Sequence, residues 1–355
     1  ATTSSFVAVN SISGAISIAD SAYFDAELRS NVNFDVVVSD GFSSTSETVT
    51  IAVNNLNDNP VIFDAISSDL NINENPAFGA ALLTLSATDA DGSLNALTFS
   101  TTETRVAVNG TSGVITVVDS AYFDAETHTS ISFDVKVSDG TNEDTETVNI
   151  AINNVNDNAP EFVYIPADLN IDENSAVGTE LLTISATDAD GSLNTLVYSS
   201  EDARVIVDVS TGVVTLAANV SLDHETATSL EFEVIVSDGT NQDTENVNIA
   251  INNVNDNAPI FDIESYSSVI RIEDLSENAI LTVSATDADN LSALTYQLVD
   301  GLNIFSMNDE GSLFVENPEN LNSTQSFINY TMVATVSDGE LSSTADIVVT
   351  VDYTS

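Results

Sequence analysis

The chain has 355 residues, 56 of them acidic against only 5 Lys and Arg, for a formal charge of −51. A surface so anionic repels nucleic acid and anionic membranes, while 43% hydrophobic residues exclude a disordered acidic tail. There is no Cys to form a disulfide and no Trp. There is no apolar run of some 18 residues that could span a membrane as a helix, and no basic-then-apolar leader opens the sequence, so a signal or anchor, if present, lies outside this segment.

Taken in order, the chain repeats itself. The segment Asn54–Phe63 returns as Asn153–Phe162 and Asn252–Phe261, and Asp58, Asp157 and Asp256 are spaced by 99 residues. Asp40, Asp139 and Asp238 keep this step, as do Asp89, Asp188 and Asp287. So do Asp25, Asp124 and Asp223, each with a Glu two residues on. Cutting at the Asn-rich segments gives units at 1–59, 60–158, 159–257 and 258–355. The first is short. Its Ser5–Asn59 aligns with Thr104–Asn158, so it lacks the counterpart of 60–103. The sequence therefore reads as a fragment of a longer array; the other reading has a neighbouring chain supply the missing strands.

Within the second unit, Leu70 and Ile72 alternate with polar residues, and Leu83 and Leu85 lead into Ala87-Thr88-Asp89. Leu97–Phe99, Val106–Val108 and Val114–Val118 are short runs between Gly and Asn turns. Phe133, Val135 and Val137 point one way and Asp134, Lys136 and Ser138 the other, the pattern of a half-buried strand; Thr147–Ile152 does the same. About seven such strands without helical periodicity predict an all-β, antiparallel sandwich of about 100 residues, repeated in tandem. Tyr122-Phe123 and Leu222 are expected to anchor the loops at Asp124 and Asp223 to the core.

Each Asn-rich segment follows an alternating run, and Pro160 stops it from continuing as a helix. Asn and Asp offer short-armed oxygens and tolerate unusual backbone angles, as a loop that holds a hard cation requires. The motifs ENPAFG, ATDADG, FDAE, VSDG and NDNP resemble the cadherin repeat, above all the cadherin-like repeats of bacterial surface proteins, over the whole chain and most weakly in the last unit. The resemblance implies seven-stranded Greek-key, immunoglobulin-type sandwiches set end to end, with about three Ca2+ at each junction.

Residue by residue, it implies that the middle junction uses Glu74, Asp124 and Glu126. Its linker would add Asn154, Asp157 and Asn158 side chains and the Val155 and Asn156 carbonyls, and the following unit Asp188, Asp190, the Asn194 carbonyl and Asp238. The next junction would use Glu173, Asp223, Glu225, Asn253, Val254, Asn255, Asp256, Asn257, Asp287, Asp289 and Asp338. The first would use Asp25, Glu27, Asn55, Asp58, Asn59, Asp89, Asp91, Asn95 and Asp139, without an early Glu.

Three departures stand out. The family's leading linker Asp is Asn at 55, 154 and 253, an oxygen ligand without charge. The fourth unit offers Glu273 and Glu277 as alternatives for its early Glu, and its Asp-Ala-Asp lacks the spaced Asn.

Seven carboxylates meet at the middle junction, so three divalent ions would leave it nearly neutral. Without them, a pair of unit charges 4 Å apart repels by about 4 kcal/mol at an effective dielectric of 20. Crowded carboxylates and carbonyls favour Ca2+ over Mg2+, which keeps its waters, and over zinc, which takes Cys or His.

His128 and His224 fall at non-equivalent positions, His224 expected to face solvent, so no His-based catalytic site is expected. The acids recur at every junction, whereas an active site is built once. The chain is thus read as no enzyme. The functional expectation is an extracellular or cell-surface rod, stiffened by calcium, that mediates adhesion or forms the stalk of a large (bacterial) surface adhesin. Its partners would be calcium and either itself, another surface protein or a polysaccharide. The alternatives are a filament subunit completed by strand donation and a polysaccharide-binding module, the latter disfavoured by 6% aromatics and no Trp. Sequons at Asn109, Asn219, Asn290, Asn322 and Asn329 are expected by chance in so Asn- and Thr-rich a chain.

Overall fold

Short β-rich runs punctuated by Gly and Asn become strands and little else. The computed structural model describes residues 1–92, 94–191, 193–299, 302–321 and 324–354; the Asn322 sequon lies outside them. The chain forms two compact units, Ala1–Asp157 with Ala189–Leu193, and Asn158–Asp188 with Asn194–Ser355.

In the first unit, a complete sandwich has one sheet in the order Leu70–Asn73, Glu143–Asn153, Ser130–Ser138, Thr98–Thr101. The other runs Val106–Val108, Val114–Val117, Ala81–Thr84. Ile115, Val117, Phe123, Val135, Val137 and Val148 fill the space between them, each at most 1% exposed. Ahead of this sandwich stand two hairpins, Val7–Val9 with Ile16–Ile18 and Asn31–Ser39 with Ser44–Ala52, around a small core of Val7, Val32 and Phe34.

The second unit holds two sandwiches of the same plan. One has sheets Leu169–Asp172, Gln242–Asn252, Ser229–Ser237, Val197–Ser199 and Glu180–Thr183, Val213–Leu216, Val205–Val207. The other has Ser265–Arg271, Ser342–Asp352, Phe327–Ser337, Thr295–Val299 and Leu281–Thr282, Ser312–Val315, Phe305–Met307.

The all-β sandwich expectation holds, with one correction. The pairing is not wholly antiparallel, because the first strand runs parallel to the last: Leu70–Asn73 pairs Ile150–Asn153 in step, and Leu169–Asp172 pairs Ile249–Asn252 likewise. Parallel neighbours need a long crossover, and here the other strands of the sandwich provide it. The arrangement carries the end of the first strand and the start of the linker to the same pole of the sandwich.

One glycine per complete sandwich is obligatory. Gly113, Gly212 and Gly311 have φ of 70°, 70° and 80°, and a Cβ there would press on the carbonyl oxygen of Leu85, Ile184 or Val283. Phe123 and Leu222 are buried at 0% and 4%, so both loops are anchored as their sequence suggests. Tyr122 is flanked by the Arg105 guanidinium and the His128 ring, each centred 3.9 Å away. Tyr23 is flanked by Phe6 at 3.8 Å and Arg29 at 3.9 Å, the same stack with its outer members exchanged in type.

Candidate metal joints

Glu74 follows directly on the strand Leu70–Asn73, whose pairing aims it at the linker. It is 5% exposed, and its carboxylate accepts from the Val155 amide at 2.6 Å and the Ala125 amide at 2.7 Å. A carboxylate held by two backbone amides is fixed in orientation. Oxygens of Glu74, Glu126, Asp157 and Asp190 all lie within 4.8 Å of one another. They come from a strand end, a loop, the linker and the loop after Thr88, one repeat further on. Burial among Asp124, Glu74 and Asp190 pushes the Glu126 carboxyl up to about 7, and Asp157 is raised by burial beside Glu74 and Asp190.

The second unit builds the same site. Glu173 accepts from the Val254 amide and the His224 amide, both at 2.7 Å, and oxygens of Glu173, Glu225, Asp256 and Asp289 again lie within 4.8 Å. Burial raises Glu225 above the usual carboxylate range, with Glu173, Asp289 and Asp223 adding to it. Asp289 is 3% exposed and ties the linker down, accepting from the Asn257 amide at 2.8 Å and the Asn257 side chain at 2.9 Å. Asp91 does the same for Asn59, at 2.9 and 2.7 Å, which holds its pKa below the usual range. At this first joint the close group is Glu27, Asp58 and Asp91.

The other expected ligands divide by role. Asp25, Asp124 and Asp223 cap their own loops, accepting from the amides of Leu28, Glu126 and Thr226 at 3.0, 3.1 and 2.9 Å. Asp89 and Asp287 turn the chain so that Asp91 and Asp289 face inward, each accepting from the amide two residues on. Asp139, Asp238 and Asp338 are 4–6% exposed and each accepts from two following amides. Beside them, Asn142 and Asn241 donate to the carbonyls of Asn59 and Asn158 at 2.9 and 3.0 Å. Asn95 and Asn194 lie in the loops before Thr98–Thr101 and Val197–Ser199, and Val155, Asn156, Val254 and Asn255 lie in the linkers.

The leading linker Asn is the most informative residue. Asn55 donates its amide nitrogen to the Asp91 carbonyl at 3.0 Å and Asn253 to the Asp289 carbonyl at 2.8 Å. Asn154 donates to the Asp190 carbonyl at 3.2 Å. The side-chain oxygens of Asn55 and Asn253 are buried without any hydrogen-bond donor. A buried acceptor without a donor costs about 1–3 kcal/mol, and a cation removes that cost. The donor set of carboxylates, amide oxygens and backbone carbonyls fits a hard divalent ion.

Sequence reasoning missed Asn75 and Asn174. Both adopt left-handed backbone, with φ of 54° and 57°, and donate to Asp157 and Asp256. The Glu-Asn pair repeated at the 99-residue step was the available signal. His224 corrects its expectation: it is half-buried, with Nδ1 2.7 Å from the Ile251 carbonyl, because its neighbours Asp223 and Glu225 are drawn into the joint. In the fourth sandwich the register pairs Ile270 with Val351 and Arg271 with Asp352, as Ile72 pairs Ile152 and Asn73 pairs Asn153, so Arg271 occupies the position of Asn73 and Ile272 that of Glu74, with Glu273 one residue further on. Arg271 Nε stands 4.0 Å from Asp352 Oδ2, while Glu273 lies in a short 3-10 turn.

No family model matches the chain. Among curated proteins it is 31% identical over 286 residues to the protocadherin-like wing polarity protein stan of Drosophila melanogaster, covering 75% of this chain and 8% of that protein. It is 30% identical over 355 residues to protein dachsous of the same organism, covering 92% and 10%, and 31% identical over 281 residues to human protocadherin Fat 4, covering 75% and 6%. The chain thus spans a tenth or less of the length of these relatives. Among solved structures, mouse cadherin-23 EC22-24 is 26% identical with a TM-score of 0.69, over 84% of this chain and all of that one. The protocadherin gamma B4 extracellular domain shares the fold at 21% identity and a TM-score of 0.74, over 98% of this chain and 58% of that one.

Sandwich, linker motif and relatives agree on the cadherin repeat family. The relatives are cadherins and protocadherins, not enzymes. They are animal proteins, and a special closeness to bacterial surface proteins is not shown by them.

Proposed function

We propose that the chain is a stretch of extracellular cadherin repeats whose joints are set by calcium, and that the stretch serves as a stiff spacer or adhesive element. The repeats would be 1–59, 60–158, 159–257 and 258–355. The observation that carries the reading is that four carboxylates from four separate segments lie within 4.8 Å of one another, twice over. Such a cluster is repulsive by itself. Two orphaned amide oxygens at equivalent joints support the same conclusion.

When bound, the ion supplies the positive charge that the cluster lacks. Glu74, Glu126, Asp157 and Asp190 would hold it at one joint and Glu173, Glu225, Asp256 and Asp289, with the Asn253 oxygen, at the next; at the first joint Glu27, Asp58 and Asp91 would do so with the Asn55 oxygen, the remaining expected ligands completing the shells. The chain's own work is to preorganise these groups: paired amides clamp Glu74 and Glu173, and Asp91 and Asp289 fix the linker. Binding to the native state alone stabilises it by mass action. Titration calorimetry with Ca2+, combined with thermal melting and small-angle scattering with and without EGTA, tests the reading. Saturable binding, a higher Tm and a longer particle in Ca2+ are expected, and unchanged melting and dimensions after chelation reject it. Adhesion itself would be read by calcium-dependent clustering of beads that carry the chain.

A further inference from the structure

The third repeat lacks an aromatic ring that the first two keep. The 99-residue step relates Tyr23 to Tyr122, and each lies between two flat groups. Phe6 and Arg29 flank Tyr23 at 3.8 and 3.9 Å, and Arg105 and His128 flank Tyr122 at 3.9 Å each. In the third repeat the counterparts of Arg105, Tyr122 and His128 are Arg204, Ser221 and Ala227. One wall of the stack remains, while the ring and the opposite wall are gone.

The vacated space has not closed. A cavity of about 240 Å3 is lined by Arg204, Ser221 and Ala227 themselves, over a floor of Leu222, Leu230 and Ile251. The floor belongs to the core and is at most 4% exposed. Arg204 is held in place by its edge: Nε and Nη2 donate to the Asp202 carboxylate at 3.0 and 2.7 Å, and Nη2 also to the Glu231 carbonyl at 2.5 Å. Arg105 is tied to Glu103 in the same way, at 2.7 and 2.5 Å, and spends its face on Tyr122. Hydrogen bonds in the plane of a guanidinium leave its faces open to stacking. Among the described residues no ring covers the face of Arg204, and its side chain is 48% exposed. An apolar floor beside such a face suits a flat aromatic ring, which gains from burial and from the cation together. An anion gains little there, because Asp202 already neutralises Arg204 and Asp223 stands at the rim.

We propose that this cavity binds a phenol ring from outside the chain, seated on Leu222 and Leu230 with its face against Arg204. The second repeat supplies that ring from its own sequence, whereas the third takes it from a tyrosine side chain of a partner or from a free phenol.

The test titrates phenol into the full chain in Ca2+ and follows amide chemical shifts, with the second sandwich as internal control because Tyr122 fills its site. Saturable shifts at 222–230 and around Arg204 are expected, and cyclohexanol, of the same size without a π face, should bind at least about fivefold more weakly. Arg204→Gln should weaken phenol by a similar factor. Ala227→His restores the second wall and should tighten it severalfold. N-acetyltyrosinamide separates the two sources: affinity equal to that of phenol assigns the ring to a polypeptide partner, and its exclusion assigns it to a free phenol. Shifts that do not saturate, that appear equally around Tyr122, or that cyclohexanol reproduces at the same concentration overturn the proposal. So does unchanged affinity in a folded Arg204→Gln chain. Should that variant unfold, Ala227→His decides alone, and affinity no higher than the parent's overturns the proposal.

Discussion

Asn253 shows how much one side chain decides at a joint. Its nitrogen is committed to the Asp289 carbonyl and its buried oxygen has no donor, so the site has an acceptor ready but one charge fewer than an Asp would give. Asn253→Asp should tighten Ca2+ binding by roughly tenfold, the step that about 1.4 kcal/mol represents, and lower the melting temperature in EGTA by adding repulsion. Calorimetry and a paired melt read both signs. Glu103 offers a cleaner electrostatic test away from the joints. Hydrogen bonds from the Arg105 side chain and amide hold it down at about 2, from an ordinary 4.5. A depressed carboxyl stabilises above its unfolded value and loses that stabilisation as pH falls from about 4.5 to about 2. Glu103→Gln should therefore cost about 1 kcal/mol at pH 7, with the gap to the parent closing by pH 2 in chemical denaturation. Glu126 has the opposite sign. Its carboxyl is raised to about 7 by burial and acidic neighbours, so without Ca2+ the native state gains stability as pH drops from about 7 toward the ordinary carboxylate range. A calcium-free melt at pH 7.5 and 5.5 should show the higher Tm at 5.5 in the parent, with a smaller difference in Glu126→Gln.

At the scale of the element, the 99-residue step made the strands legible, because alternation such as Phe133, Val135, Val137 fixes which face is buried, and all three are 6% exposed or less. Pairing direction was not legible. Alternation is the same in parallel and antiparallel strands, and only the register of Leu70 with Ile150 reveals the parallel edge. The 99-residue step marked the acids that the structure gathers around Glu74 and Glu173, but not who clamps whom: the amides of Ala125 and Val155 leave no mark in side-chain chemistry, and the repeated Glu-Asn pair does not reveal the left-handed backbone of Asn75. Gly212 belongs here too. Its φ of 70° and the Ile184 carbonyl facing it leave no room for a methyl group. Gly212→Ala should destabilise by about 1–3 kcal/mol in denaturant titration, whereas Gly239→Ala, with nothing within 4 Å, should lose only the part due to its own positive φ.

Across the whole molecule, acids gather in close groups beside the Asn-rich segments, and Arg105, Lys136 and Arg204 pair with acids of their own sandwich. Arg271 differs from the rest. It takes the place that Asn73 and Asp172 hold elsewhere, one residue ahead of Glu74 and Glu173, and faces Asp352, where the other sandwiches carry Asn153 and Asn252. That pole of the fourth sandwich brings a tethered positive charge of its own. Its compensation is thus permanent, whereas on the proposed reading the acidic clusters around Glu74 and Glu173 draw theirs from the surrounding fluid. When calcium is withdrawn the array should relax unevenly, loosening at the joints built on glutamate while the arginine-bearing pole keeps its arrangement.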